Sequence, residues 1–262
     1  METSMISLED RIKQYWNNQP CNIRHSENEV GSLAFFKEVS ARRFQVEPHI
    51  LEFAEFHLWQ GKQVLEIGPG IGTDAAEFAR HGADYYGIDY SIESVNLART
   101  RFGVEELAGR FSCGDASDKD MYTGLPQFDL IYSYGVIHHY PAIDKIIDNV
   151  YSSLRPGGEF RFMVYAKDSW KQAMINKGLD QYEAQDGCPY ARSYTRGDID
   201  YLLRNSFRIE ELRQDHCFMY NVEAYKQGRY ELEPWFAAMP TTMQNAVKEY
   251  LGWHLLVKAR KV

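Results

Sequence analysis

The hydrophobic pattern changes character about a quarter of the way along the chain. Residues 8–16 place apolar side chains at Leu8, Ile12, Tyr15 and Trp16, the i, i+4, i+7, i+8 spacing of one helix face. A second helical stretch covers about 33–57 and is expected to break or kink near Pro48, because proline cannot continue a helix ladder. From Gly61 the pattern becomes that of a sheet. Residues 64–67 form a short, fully apolar-flanked run that passes straight into Gly68-Pro69-Gly70-Ile71-Gly72 and then into a helical stretch. The next apolar run, 85–88, ends on Asp89. Strand, glycine-rich turn, helix, strand and acid, in that order, predict a doubly wound α/β sheet with a nucleotide-type site at its carboxyl edge.

The chemistry of that turn narrows the ligand. Glycines let backbone approach a ligand closely, and the Asp89 carboxylate can accept both hydroxyls of a ribose. A dinucleotide fingerprint places its third glycine where this chain has Thr73. Glu66, just ahead of the turn, would oppose an approaching pyrophosphate but suits a cation such as a sulfonium or an ammonium.

With an acid before the glycines and an acid after the next strand, the chain resembles the class I S-adenosylmethionine-dependent methyltransferases of small-molecule type. The resemblance covers roughly the last three quarters of the chain and continues through later stations. These are the runs 111–116, 128–134 and 154–164, followed by 207–212 and 254–259 as a closing antiparallel pair. It implies a mostly parallel seven-stranded Rossmann-like sheet over residues 61–262, an N-terminal helical cap over 1–60, and lid insertions near 167–196 and 221–252. It also implies S-adenosylmethionine as cofactor and S-adenosylhomocysteine as product. Carried over by position, Glu66 would hold the methionine end, and Gly68, Pro69 and Gly70 would present backbone to the donor. Thr73 would bond the methionine carboxylate or simply cap its helix. Asp89 would take the ribose, Tyr90 would lie against the adenine, Asp115 and the Ala116 amide would meet the adenine edge, and Ser133 would lie at the cofactor edge of the fourth strand.

Methyl transfer from a sulfonium releases a neutral leaving group, so alignment in a water-poor pocket supplies much of the acceleration and no catalytic residue is obligatory. His138 and His139 follow the fourth strand and titrate near neutral pH, which makes them the candidates for managing an acceptor proton. The alternative is that one or both only satisfy backbone groups in a turn. Tyr15, Tyr134, Arg192 and Tyr194 are the candidate lid and acceptor residues, with the loop 188–196 expected to cover the donor. Trp16 alone is better read as packing. Tyr190, Tyr220, Trp235 and Phe236 either line an aromatic pocket or fill core, and Arg196 is an alternative partner for an acceptor carboxylate.

Composition excludes more than it adds. A net charge of −8 argues against a nucleic-acid substrate, and the Arg42-Arg43 pair is read as a solvated helix face. No apolar run reaches the roughly 20 residues needed to cross a bilayer. Residues 1–5 lack the features of a secretory leader, and the four cysteines are scattered, so free thiols in a cytoplasmic protein are expected, with no metal. The segment after the fourth strand matches neither the Asn/Asp-Pro-Pro-Tyr/Phe nor the Pro-Cys pattern of nucleobase enzymes, leaving a small-molecule acceptor of open identity. O-, N-, C- and S-methylation stay open, as does oligomeric state. Three other readings stand: a catalytically silent donor-binding subunit, a nicotinamide-dependent oxidoreductase, which Glu66 and Thr73 oppose, and an aminopropyl transferase, whose glycine-richer motif is missing.

Overall fold

The computed structural model describes residues 6–178, 187–227 and 229–262. The leader reading at 1–5, residues 179–186 of the first expected insertion and residue 228 of the second lie outside the described residues.

One sheet organises the chain. Its strands are β1 (Gln63–Ile67), β2 (Asp84–Asp89), β3 (Arg110–Cys113), β4 (Phe128–Tyr134), β5 (Leu154–Ala166), β6 (Ser193–Tyr194), β7 (Phe207–Asp215) and β8 (His254–Lys261). Their order is β3-β2-β1-β4-β5-β8-β7, with the two-residue β6 pairing beside β5. β1 to β5 run parallel, while β8 is antiparallel to both β5 and β7. The expected mostly parallel seven-stranded sheet is therefore present, with β6 added as a short eighth member.

The central strands are apolar throughout because helices cover both faces. Successive residues point to opposite sides. Val64, Leu130 and Tyr132 pack on one face with Ala75, Phe78 and Val95, whereas Leu65, Ile67 and Ile131 pack on the other with Ile146, Ile147 and Val150. The first face is covered by α2 (Leu33–Val46), α3 (His49–Ala54), α4 (Thr73–Arg80) and α5 (Ile92–Val104), with α1 (Leu8–Asn18) packed on α5. The second is covered by α6 (Ile143–Ser153), with α8 (Arg196–Leu203) beside β7; α7 (Trp170–Asn176) follows β5. Pro48 does separate α2 from α3, as its missing N–H requires. Between β7 and β8 lie α9 (Val222–Lys226), α10 (Pro234–Ala237) and α11 (Thr241–Leu251).

The strand order reverses at β1, whose neighbours are β2 and β4. Ligands of open α/β sheets bind at such a switch point, outside the carboxyl ends of the strands.

Candidate functional site

A partly enclosed cavity of about 110 Å³ opens at that switch point. Its floor is the turn between β1 and α4. Gly68 has φ +77°, and a Cβ there would fall 2.4 Å from the Val136 side chain, so only glycine lets the β1 and β4 exits pass this closely. Gly72, at φ +79°, is the residue from which α4 starts.

Asp89 ties the turn to the end of β2. Its carboxylate accepts the Gly70 N–H at 2.9 Å and the Ser91 N–H at 2.8 Å. Burial nevertheless pushes its acid up to about 6, against those hydrogen bonds. Glu66 is 3% exposed and accepts the Tyr85 hydroxyl at 2.7 Å. Burial first, then the nearby Asp74 charge, push it up to about 8. A cavity that holds two carboxyls against their desolvation is suited to a ligand bringing positive charge and hydroxyl donors.

Opposite the turn stand Trp16 and Ile12 of α1, Tyr90, Tyr140 and Val136. Lys13 lies over the Tyr90 ring at 5.6 Å. His139 closes this wall with its ring edge-on to Trp16, centroids 5.0 Å apart. Its Nδ1 lies 2.8 Å from the Tyr190 carbonyl, which can only accept, so Nδ1 carries the proton. Its Nε2 is buried and has no hydrogen-bond partner among the described residues. Burial pulls the ring down to about 4, so it is neutral at pH 7 with its lone pair on Nε2.

The other expected residues divide. Pro69, Thr73 and Tyr134 line the cavity with Glu66, the glycines, Asp89 and Tyr90. The Thr73 hydroxyl is already engaged, accepting from Arg101 at 3.0 Å. His138 does not line it. Its ring is fully buried at 3.9 Å from the Tyr165 centroid, with neither nitrogen hydrogen-bonded among the described residues. The Ser133 hydroxyl donates to the Ile67 carbonyl at 3.0 Å, and the residue is fully buried outside the lining. Asp115 and Ala116 also lie outside it. The Asp115 carboxylate caps the Ser117 N–H at 2.7 Å, and the Ala116 carbonyl accepts from Tyr122 and Asn149.

On the lid side Tyr15 is displaced by its neighbour, since Trp16 faces the cavity and Tyr15 does not. Tyr194 is core, 2% exposed, and the exposed Arg192 lies over its ring at 4.8 Å. The loop 188–196 supplies backbone instead. Its Tyr190 carbonyl holds His139, and its Arg192 N–H donates to the His138 carbonyl at 3.0 Å. Arg196 donates to the Leu212 carbonyl, and Tyr220 and Phe236 line a separate cavity.

Sequence reasoning missed the charged side of the pocket. Arg43 is no solvated residue: it grips Asp74 through Nε at 2.9 Å and Nη2 at 3.1 Å, and Tyr132 adds its hydroxyl at 3.1 Å. The signal was present in α2, where Phe35, Phe36 and Val39 are buried and Arg43 follows Val39 by four residues on the same face.

The methyltransferase domain family matches residues 40–227 of this chain. A fatty-acid O-methyltransferase of Mycolicibacterium smegmatis is 33% identical over 130 residues, 46% of this chain and 44% of that protein. A ubiquinone biosynthesis O-methyltransferase of Coxiella burnetii is 27% identical over 118 residues, 45% of this chain and 50% of that protein. The chain thus spans about half the length of the curated relatives it matches. Among solved structures, the geranyl diphosphate C-methyltransferase of Streptomyces coelicolor shares the fold at a TM-score of 0.61 and 14% identity, over 99% of this chain and all of that one.

Proposed function

The chain belongs to the methyltransferase-domain family, and from that premise we propose that it transfers the methyl group of S-adenosylmethionine to a hydroxyl of a small-molecule acceptor. The observation that carries this reading is the juxtaposition, in one cavity, of the acid-flanked glycine turn with the neutral His139 ring, whose Nε2 is buried without a hydrogen-bond partner among the described residues. The residues fit such a donor. Glu66 takes its ammonium or sulfonium end, the 68–70 backbone lies along it, Asp89 accepts the ribose hydroxyls, and Tyr90 lies against the adenine.

Bound there, the donor offers an electrophilic methyl group and departs as a neutral thioether. The protein's work is orientation, exclusion of water and handling of one proton. Trp16, Val136 and Tyr140 supply apolar walls. His139 Nε2 can only accept, so it orients an acceptor that still carries its proton, such as a hydroxyl, and takes that proton as the bond to carbon forms. The Tyr190 carbonyl stabilises the charge gained, because it already holds the Nδ1–H. An ionised carboxylate acceptor would have nothing to donate to this nitrogen. O-methylation is also what the name of the ubiquinone biosynthesis relative states of that protein.

Calorimetric titration with S-adenosylmethionine, S-adenosylhomocysteine and NADH tests the donor. The first two should bind and the third should not; binding of NADH alone would overturn the reading. Asp89→Ala should weaken donor binding at least about a hundredfold, given about 1.5–3 kcal/mol for each hydrogen bond to a charged group. With any hydroxylated acceptor that turns over, His139→Ala should lower kcat by about 10²–10⁴-fold with donor affinity kept. An unchanged kcat removes His139 from the chemistry.

A further inference from the structure

Behind the Tyr134 wall of the cavity lies a second group of chemistry-bearing side chains that methyl transfer does not use. His49, at the start of α3, His216, just beyond β7, and His254, the first residue of β8, are all buried. Glu47 joins them from the link between α2 and α3. One ligand atom from each of Glu47, His216 and His254 lies within 4.8 Å of the others. The His216 and His254 rings are stacked with centroids 4.5 Å apart, and His254 Nε2 is 3.9 Å from the Glu47 carboxylate. His216 and His49 also line a second cavity, separate from the first.

We propose that Glu47, His216 and His254 form a divalent-metal site of the two-histidine, one-carboxylate kind, suited to zinc, beside this second cavity. The ligand types are those zinc takes, in a set of three that leaves a fourth position for water. The groups that would hold a ligating imidazole in place are present as well. His254 turns its Nδ1 to the Tyr134 hydroxyl at 2.9 Å and to His49 at 3.1 Å, which leaves Nε2 as the nitrogen facing Glu47. Ligating imidazoles are usually fixed in this way through their other nitrogen.

The cations nearby are matched and do not bar a metal. Arg43 is bound to Asp74 besides its contact with Glu47, and Arg213 is bound to Glu211 and Asp215. Zinc bonds of about 2.0–2.2 Å put tetrahedral donors roughly 3.4 Å apart, so ligand atoms that lie within 4.8 Å of one another must close by up to roughly 1.4 Å. Closure would staple the α2–α3 link to the ends of β7 and β8.

The test is titration of the metal-stripped full chain with Zn²⁺ and, in parallel, Co²⁺. One equivalent should bind, with a raised Tm and a visible Co²⁺ spectrum of low-coordinate type. His216→Ala and Glu47→Gln should each weaken binding at least about a hundredfold, while the exposed His57→Ala should not. X-ray absorption of the zinc-loaded wild type gives an answer even where a variant fails to fold: two imidazoles and oxygen support the site. No stoichiometric metal, binding insensitive to both variants, or a sulfur-containing shell, as from the nearby Cys217, would overturn it.

Discussion

The two sides of the main cavity are built by different rules. The floor comes from a single run of chain, residues 66–90, in which Glu66, the glycine turn and Asp89 are fixed by β1, α4 and β2. The facing wall is assembled from distant pieces: Trp16 and Asn22 near the start, Arg43 in α2, Tyr134 at the end of β4 and His139 beyond it. The floor positions its groups by backbone conformation and local hydrogen bonds. The wall depends on long-range pairs, among them Arg43 with Asp74, which bridges the two sides. The floor should therefore tolerate loss of a wall residue conformationally while the fold as a whole does not.

The largest test of that difference is Arg43→Met. Removing one partner of a buried ion pair strands the other, at a cost of about 3–5 kcal/mol. Here the stranded group is Asp74, 3% exposed, next to the already strained Glu66 carboxyl. Denaturant unfolding should show a loss of that size, and the double change Arg43→Met/Asp74→Asn should recover much of it. A single variant within about 1 kcal/mol of the parent would mean that the bridge contributes little.

The second test acts on the floor through pH. Glu66 and Asp89 are both raised, to about 8 and about 6, chiefly by burial. For acids shifted upward, stability is fully present below the unfolded values and is lost as pH rises through the folded ones. The ligand-free protein should accordingly lose Tm from about pH 4 up to about pH 8, most steeply below about pH 6, where both groups contribute. Donor binding should do the opposite. A cationic donor binds the ionised form of Glu66, so its affinity should rise by up to about tenfold per pH unit between pH 6 and 7.5, about 1.4 kcal/mol. Calorimetry in buffers of different ionisation heat should register proton release. A flat affinity profile would show that the donor does not meet Glu66 as a charge.

How much of this was legible in the sequence follows the same division. The strands β1, β2 and β4 and the turn between β1 and α4 could be read because their signals are local, apolar runs ended by glycine or acid. The floor residues came with them. Ser133 follows the alternation of a strand: Tyr132 and Tyr134 pack on one face of the sheet, so Ser133 points to the other, where it meets the Ile67 carbonyl. Adjacent His138 and His139 could not be separated, because a short 3₁₀ turn, and not a strand or α-helix, sets which ring reaches the cavity. Arg43 was lost because its meaning lies in Asp74, 31 residues away. No pattern within α2 names that partner.

The smallest test probes where the wall meets the histidine group. Tyr134 lines the cavity with its ring, and its hydroxyl lies 2.6 Å from His49 Nε2 and 2.9 Å from His254 Nδ1. Tyr134→Phe keeps the ring and the cavity shape, so it should alter donor affinity little. It removes one hydroxyl from a buried polar cluster, which costs about 0.5–1.5 kcal/mol of stability. The two imidazoles remain 3.1 Å apart and can share a proton with each other, which favours the lower end of that range. A change in donor affinity as large as the change in stability would mean that the hydroxyl, held from behind by two histidines, sets the position of the cavity wall. The site would then extend from the glycine turn through Tyr134 to His254, and the distinction between the two sides would fail at that residue.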